Sequence, residues 1–237
     1  MTQIKNLNLP KIIGHRGVKN LAPENTIDSI LKAIQLGLKW IEVDVKISKD
    51  GIPFLLHDDR LDRTTNGSGL ASLFNYSEIK KLDAGKFYYN KKTLIYPPTL
   101  QEVMNICKKY KIGINIELKP NLGLEIKNVD NIIHVSEKYK KNVFYYYSSF
   151  DLLSCIQVKK ILPNSFCGIL IDDFINYSIE EILLFIKKYN IFSCGLNIKL
   201  ISNELIKKLK NKDLILTVYS SKNISKEMAL NMWNLGI

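Results

Sequence analysis

Two carboxylates at a fixed spacing are the first sign of chemistry in this 237-residue sequence. Glu42 and Asp44 lie two residues apart in the stretch WIEVDVKI, where β-branched residues alternate with them. Because side chains two apart on a β-strand point to the same face, we expect both carboxylates on one side of a strand. The next apolar run, PFLL, is followed by His57, which brings a titratable imidazole to the same region.

Polar residues of similar kinds mark two further predicted strands. His15 and Arg16 come directly after a short predicted strand at 11–14, and Glu117 and Lys119 lie two apart in a later strand. In a parallel barrel the carboxyl ends of all strands meet at one rim, so residues far apart in sequence converge there. We therefore expect these side chains to form one site with the carboxylates of the first stretch.

The chemistry of this set indicates cleavage of a phosphoester. Three carboxylates without cysteine suit a hard divalent ion, Mg²⁺ or Ca²⁺, rather than zinc. His15 and His57 suit general acid and base roles, because imidazole titrates near neutral pH. Arg16 and Lys119 supply fixed positive charge for phosphate oxygens. Each residue alone has a structural explanation, such as an ion pair between Glu117 and Lys119, and only their combination indicates catalysis.

Strand and helix patterns alternate along most of the chain. Apolar residues at helical spacing predict a helix after Thr26 and another from Thr99 through Tyr110. Beyond these, the predicted strands lie at 113–120, 143–148, 167–171, 194–198 and 214–219, and the predicted helices at 125–140, 152–162, 179–189, 203–209 and 226–235. Such repetition predicts an α/β fold of the (β/α)8 TIM-barrel type. Residues 58–98 break the alternation and are predicted to form an insertion over the site, with one helical patch at 76–82.

One element of the predicted barrel is missing. The sequence stops at Leu235-Gly236-Ile237, where an eighth strand is expected to begin. Either the barrel is closed by other means or the natural protein is longer than this sequence, and we favour the second explanation. Residues 1–237 are expected to form a single barrel domain.

Charge and composition argue against several other classes of protein. The net charge of +11 arises from 34 Lys and Arg against 23 Asp and Glu, but the lysines are scattered through predicted helices, so we expect no nucleic-acid partner. No apolar run is long enough for a transmembrane helix, and the N-terminus lacks an apolar signal core; both features predict a cytoplasmic protein without stable membrane insertion. The four cysteines lie singly in apolar segments and are predicted to be reduced core residues.

The sequence resembles the glycerophosphodiester phosphodiesterase family, especially its small bacterial cytoplasmic members, in the phrases GHRG, APENT, EVDVKISKDGIPFLLHDDRLDRTTNGSG, LDAGKFY, PPTLQEV and INIELKP. The match runs nearly continuously from Ile12 to Pro120 and is weaker beyond. The resemblance implies a phosphodiesterase-type (β/α)8 barrel with a small insertion after strand two. It also implies a role for each matched residue: Glu42, Asp44 and Glu117 as metal ligands, His15 and His57 as the acid–base pair, Arg16 and Lys119 as phosphate-binding residues, and Glu24 and Asn25 as supporting residues.

The reaction implied by this resemblance is metal-dependent hydrolysis of a small glycerophosphodiester, such as glycerophosphocholine or glycerophosphoethanolamine, to glycerol 3-phosphate and an alcohol. One histidine would deprotonate the nucleophile, either water or the neighbouring glycerol hydroxyl, and the other would protonate the departing alcohol. The sequence leaves open which histidine takes which part, which head group is preferred, whether the ion is Mg²⁺ or Ca²⁺, and how many chains assemble.

Two other functions remain as alternatives. A lysophospholipase D-type activity would act on acylated diesters, and the aromatic residues of the insertion leave room for the apolar groove that it needs: Phe74, Tyr76, Phe87, Tyr88 and Tyr89. A non-catalytic barrel that binds anionic ligands would be expected to have lost site residues, and none of them is missing from the sequence.

Overall fold

A computed structural model describes residues 7–210 and 213–237 of the chain. The chain folds into two compact units, of which the first ends at Tyr146 and the second begins at Tyr147. The first six residues, on which the prediction of a cytoplasmic location partly rests, lie outside the described residues. Every helix in the described ranges is too short or too polar to span a bilayer.

The first unit is built on three strands, β1 (Trp40–Ile47), β2 (Pro53–Leu55) and β3 (Gly113–Leu118). β1 lies in the middle, parallel to β3 and antiparallel to β2. Five helices belong to this unit: α1 (Ile27–Gln35), α2 (Tyr76–Ile79), α3 (Lys86–Tyr89), α4 (Leu100–Tyr110) and α5 (Glu125–Ser136). Short 3-10 turns cover Ala71–Leu73 and Glu137–Tyr139.

Local capping explains where the two longer predicted helices of this unit begin. The Thr26 side chain accepts a hydrogen bond from the Ser29 backbone N–H at the start of α1. At the start of α4, the Thr99 side chain accepts from the Glu102 N–H, and the Glu102 side chain accepts from the Thr99 N–H in return. These caps satisfy backbone donors that a helix start otherwise leaves without partners, so both helices begin at the predicted positions.

The second unit repeats one strand–helix pattern. Its strands are β4 (Tyr145–Ser149, which begins at the end of the first unit), β5 (Cys167–Ile171), β6 (Ser193–Asn197) and β7 (Ile215–Tyr219), paired in parallel in that order. Its helices are α6 (Leu152–Ile161), α7 (Ile179–Lys188), α8 (Asn203–Leu209) and α9 (Lys226–Asn234), with a 3-10 turn at Ile198–Leu200. Each of these helices is preceded by an N-cap residue whose side chain accepts a hydrogen bond from a backbone N–H of the first turn: Asp151, Ser178, Ser202 and Ser225.

The four cysteines are free and buried, as predicted: Cys107, Cys155, Cys167 and Cys194. The predicted strand at 11–14 is wrong. The β-pairing described in this range is an isolated parallel bridge between Gly14 and Ile41. The chain then turns sharply because Arg16 and Gly17 adopt positive φ values of 53° and 79°, which end any extended segment. No strand follows α9 in the described part of the chain.

The segment 58–98 carries short helical turns and shares a small hydrophobic core with β2 and the residue after it. Phe54, Leu56, Leu61, Ala71 and Ile79 form this core, and Phe74 and Tyr76 pack against it. Of the five aromatic residues that leave room for an apolar groove, Phe74 and Tyr76 are thus half-buried against this core. Packing against the core buries part of both rings, whereas Phe87, Tyr88 and Tyr89 of α3 remain exposed.

Candidate active site

Three buried carboxylates meet where β1 lies beside β3. Asp44 and Glu117 are partners in the parallel register, and Glu42 lies two residues before Asp44 on the same face of β1. One oxygen from each of the three lies within 4.8 Å of the other two. Adjacent strands are separated by about 4.8 Å, so the register itself brings the carboxylates together.

In both Glu42 and Asp44, one carboxylate oxygen accepts a hydrogen bond and the other oxygen accepts none. Glu42 Oε2 accepts from the Arg16 backbone N–H at 2.8 Å, and Asp44 Oδ2 accepts from Asn25 Nδ2 at 2.8 Å. Glu42 Oε1 and Asp44 Oδ1 are buried without a hydrogen-bond partner, and Glu117 Oε1 is buried with the Lys119 ammonium group 3.3 Å away. Buried oxygens without partners are costly, so this group of carboxylates fits a hard divalent cation that prefers oxygen ligands.

The pKa values of this cluster reflect burial and mutual repulsion. Burial and the neighbouring charge of Asp44 raise the pKa of Glu117 to about 8. Burial, Asp44 and Glu117 raise the pKa of Glu42 well above its usual range. The nearby phenol of Tyr146 also has a raised pKa, because it is buried and faces Glu42 and Glu117. Without a cation the cluster therefore retains protons at neutral pH.

In EDTA we expect the free energy of unfolding to fall as the pH rises from about 6.5 to about 8. The pKa of Glu117 is about 8 in the folded chain against 4.5 for a free glutamate, so only the folded state holds this proton in that window. His15 acts in the opposite direction at lower pH, because its pKa is lowered from 6.5 to about 4. Urea denaturation at a series of pH values would measure the slope, and a flat or rising profile above pH 6.5 would contradict the expectation.

Arg16, Glu24 and Asn25 connect this cluster to its surroundings. Arg16 Nη1 donates to Glu24 Oε1 at 2.8 Å, and Arg16 Nε lies 3.2 Å from Asp44 Oδ2. Asn25 contacts Asp44 twice, because its Oδ1 also accepts from the Asp44 backbone N–H at 3.1 Å. Burial alone would raise the pKa of Glu24, but hydrogen bonds from Arg63 and the charge of Arg16 hold it at about 2. All three predicted residues thus lie at the carboxylates.

The two predicted histidines lie at this cluster in different settings. His15 Nε2 is 3.9 Å from Glu42 Oε2, and burial together with the charges of Arg16 and Lys19 lowers its pKa to about 4. His57 Nδ1 is 2.6 Å from Asp58 Oδ1, which assigns the ring proton to Nδ1 and leaves the lone pair on Nε2. Burial also lowers the pKa of His57, against the opposing charge of Asp44. Both imidazoles are therefore neutral near pH 7.

Lys119 lies between a carboxylate and an imidazole. Its Nζ is 3.3 Å from Glu117 Oε1 and 3.4 Å from His57 Nε2. The sequence raised the possibility that Lys119 simply pairs with Glu117, and the structure places it within reach of both groups. The ammonium group thus lies at the site together with all eight other predicted residues.

Two further charged residues near the site, Arg63 and Lys46, were not singled out in the sequence analysis. Arg63 donates to both Glu24 oxygens at 2.8 and 3.0 Å and to both Asp58 oxygens at 2.6 and 3.0 Å. Arg63 therefore joins the carboxylate behind His57 to the carboxylate behind Arg16. Lys46, on the same face of β1 as the acids, is fully buried and donates to Asp59 at 2.9 Å. Its position two residues after Asp44 was the available signal for Lys46.

The sequence matches the model of the glycerophosphoryl diester phosphodiesterase family over residues 15–234. It is 38% identical over 159 residues to the glycerophosphodiester phosphodiesterase of Caldanaerobacter subterraneus, covering 67% of this chain and 65% of that protein. It is 34% identical over 173 residues to the glycerophosphodiester phosphodiesterase of Bacillus altitudinis, covering 71% of this chain and 69% of that protein. The chain thus spans about two thirds of the length of these relatives.

A solved structure gives the likeness in three dimensions. A phosphodiesterase of Oleispira antarctica, solved in complex with the product sn-glycerol-3-phosphate, is 30% identical and superposes with a TM-score of 0.89. The match covers 97% of this chain and 91% of that one. Together with the family match, this likeness confirms the predicted fold class, a TIM-barrel phosphodiesterase.

Proposed function

Because the chain belongs to the glycerophosphoryl diester phosphodiesterase family, we propose that it hydrolyses small glycerophosphodiesters to glycerol 3-phosphate and an alcohol. The observation that carries this proposal is the meeting of three carboxylates, two neutral imidazoles and two fixed positive charges at one place. The product bound in the Oleispira antarctica relative supports the same reaction.

The proposed cofactor is one divalent cation, Mg²⁺ or Ca²⁺, held by Glu42, Asp44 and Glu117. The partnerless oxygens of Glu42 and Asp44 support this assignment, and one oxygen of each of the three buried carboxylates lies within 4.8 Å of the other two. When bound, such a cation supplies positive charge beside the phosphate oxygens and makes the phosphorus easier to attack. Arg16 and Asn25 keep the carboxylates in position through the hydrogen bonds described above.

Lys119 and Arg16 are proposed to bind the non-bridging phosphate oxygens. The ammonium group of Lys119 lies between Glu117 and His57, so a phosphate held there is next to both the cation ligands and an imidazole. Arg16 donates Nη1 to Glu24 and directs Nε towards Asp44, which fixes its guanidinium group beside the carboxylates where a phosphate would bind. These positive charges stabilise the negative charge that develops on the phosphate in the transition state.

His15 and His57 are proposed to move the protons of the reaction. A neutral imidazole can deprotonate the nucleophile, either water or the glycerol hydroxyl next to the phosphate. The second imidazole returns a proton to the oxygen of the departing alcohol. Asp58, hydrogen-bonded to His57 Nδ1, stabilises the positive charge that His57 carries whenever Nε2 binds a proton.

Replacing Arg63 by methionine is expected to lower kcat about 10–100-fold while changing stability little. Arg63 holds Asp58 and Glu24, which position His57 and Arg16, and residues of this kind contribute mainly through orientation. Its ion pairs are half-exposed, so their contribution to stability is about 1 kcal/mol or less. Steady-state kinetics and thermal melting would measure both effects.

Arg60→Met is the matched control for this prediction, because Arg60 also makes an exposed ion pair, with Asp62. It should leave kcat within about twofold, since Asp62 has no contact with either histidine among the contacts described. Arg63→Lys keeps the charge but not the two-sided geometry and should restore only part of the rate. Equal losses in Arg60→Met and Arg63→Met would contradict a positioning role for Arg63.

The proposed function is tested by product analysis with glycerophosphocholine, glycerophosphoethanolamine and lysophosphatidylcholine as substrates. Release of glycerol 3-phosphate from the first two, with little action on the acylated substrate, is the expected result. Faster action on lysophosphatidylcholine would favour the lysophospholipase D alternative. No release from any of the three by a folded, cation-supplied protein would overturn the proposal. Trapping a cyclic phosphate would identify the glycerol hydroxyl as nucleophile.

A further inference from the structure

The segment from Asp83 to Tyr96 is a tightly held loop that presents apolar side chains to solvent. Asp83 fixes the loop by accepting hydrogen bonds from the backbone N–H groups of Gly85 and Thr93 and from the Thr93 hydroxyl. A backbone bond from Ala84 N to Ile95 O at 2.7 Å closes it further. Between these anchors, Phe87 is 56% exposed and Leu94 is 92% exposed. An ordered loop that holds large apolar groups in water indicates a surface with a partner.

Positive charge surrounds these apolar side chains. One open cleft of about 360 Å³ is lined by Leu94 together with four exposed lysines: Lys80, Lys81, Lys86 and Lys92. Lys86 Nζ also lies 5.7 Å from the centre of the Phe87 ring, so the charged and apolar groups are neighbours. The carboxylate of Asp83 also lines this cleft, buried and held by hydrogen bonds within the loop, so the lining carries four positive charges against one negative charge.

This surface is braced against the segment that carries two site residues. The Tyr88 hydroxyl donates to the Asn20 backbone oxygen at 2.9 Å. Asn20 follows Lys19, whose backbone N–H donates to the His15 backbone oxygen at 3.2 Å. The exposed aromatic turn α3 is thus linked by two hydrogen-bonded steps to the loop of His15 and Arg16. Whatever binds the basic surface therefore contacts a turn that is hydrogen-bonded to the loop of two site residues.

We propose that this basic apolar surface, formed by Lys80, Lys81, Lys86, Lys92, Phe87 and Leu94, docks the protein on an anionic lipid bilayer. Lysines near a negatively charged membrane surface attract it, while Phe and Leu side chains enter the interface between head groups and acyl chains. The combination of charge with exposed apolar side chains favours a bilayer over a soluble polyanion, because a polyanion offers no apolar phase. The docking is peripheral and reversible, and it does not depend on the proposed reaction.

Co-sedimentation with lipid vesicles tests this proposal. The full chain is expected to bind vesicles of phosphatidylcholine mixed with phosphatidylglycerol, and to bind pure phosphatidylcholine vesicles weakly. Each lysine near the surface contributes about a fivefold increase in binding, so replacing Lys80, Lys81, Lys86 and Lys92 by glutamine should weaken it at least about 100-fold. Phe87→Ser combined with Leu94→Ser should weaken it about tenfold or more and remove the binding that persists in high salt.

Matched variants separate a specific surface from the overall charge of +11. Replacing Lys141, Lys187, Lys207 and Lys222 by glutamine removes the same charge from other exposed positions and should leave vesicle binding within a few-fold. Leu122→Ser with Ile175→Ser, at sites that are 96% and 84% exposed, should likewise have little effect. Circular dichroism and melting curves check that all variants are folded.

Three results would overturn the docking proposal. The first is an equal loss of vesicle binding in the surface and the control lysine variants. The second is no binding of the wild-type protein to the anionic vesicles. The third is binding to a soluble polyanion such as RNA that is stronger than vesicle binding and is lost in the surface lysine variant. Hydrolysis of glycerophosphocholine in solution is expected to be unchanged in the surface variants, because their residues lie outside the catalytic cluster. Failure of docking can thus be told apart from failure of the proposed reaction.

Discussion

Replacement of His57 by alanine is expected to lower kcat about 10²–10⁴-fold, the range typical of a lost general acid or base. The His57 Nε2 lone pair faces Lys119, and Asp58 supports Nδ1, so the ring is oriented to exchange a proton beside the proposed phosphate position. Glycerophosphodiester binding should change less than kcat, because Lys119 and the proposed cation site remain. Steady-state kinetics on glycerophosphocholine would measure this split.

His134→Ala is the control for the loss at His57, because His134 is an exposed residue of α5 remote in sequence from the cluster. It should retain full activity. The same large loss in both variants, or less than about a tenfold loss in His57→Ala with a correctly folded protein, would contradict the proposed role.

Glu117→Gln is expected to abolish most of the activity and yet stabilise the cation-free protein. The substitution removes one of three buried acids, and burial first and the charge of Asp44 second raise the pKa of Glu117 to about 8, which makes its ionised form unfavourable in the folded chain. Removing this carboxyl group should raise the melting temperature in EDTA by several degrees, which corresponds to about 2 kcal/mol or more. The same substitution removes a proposed ligand, so the variant should lose most of the stabilisation that Mg²⁺ or Ca²⁺ gives the wild type.

Thermal melting with EDTA and with each cation, for wild type and Glu117→Gln, would show this reversal. Glu180→Gln, an exposed acid of α7, serves as the control and should behave like wild type. If Glu117→Gln were less stable than wild type in EDTA, this result would contradict the claim that the Glu117 carboxylate destabilises the cation-free protein. Stabilisation by cation that survives the substitution would instead place the ion elsewhere.

Periodicity and capping explain why much of the fold could be predicted from the sequence. Strand β5 and helix α8 have the predicted bounds, Cys167–Ile171 and Asn203–Leu209, because short apolar runs and N-capping side chains are local signals. The predicted strand at 11–14 failed because an apolar run does not show how the backbone turns after it. Arg16 and Gly17 have positive φ angles, and the backbone of Arg16 is hydrogen-bonded to Ser29 and Glu42, which are distant in sequence.

Some residues of the site could likewise be predicted from local sequence patterns, whereas others depend on contacts between distant parts of the sequence. The two-residue spacing of Glu42 and Asp44 places them on one face, and the parallel register adds Glu117, so their meeting could be predicted. Arg63 could not be found by such reasoning, because its partner Glu24 lies 39 residues away and no periodic pattern joins them. The packing of Phe74 and Tyr76 into a local core was likewise hidden, since an aromatic residue serves a core or a groove equally well.

The most direct test of the account is to measure bound divalent cation and release of glycerol 3-phosphate from glycerophosphocholine in the same samples, for wild type and His15→Ala. The account predicts one ion per chain, activity that rises with ion occupancy and stops in EDTA, and a His15→Ala variant that binds the ion but releases little product. Undiminished release in EDTA, or no release from a folded, ion-loaded wild-type protein, would contradict it.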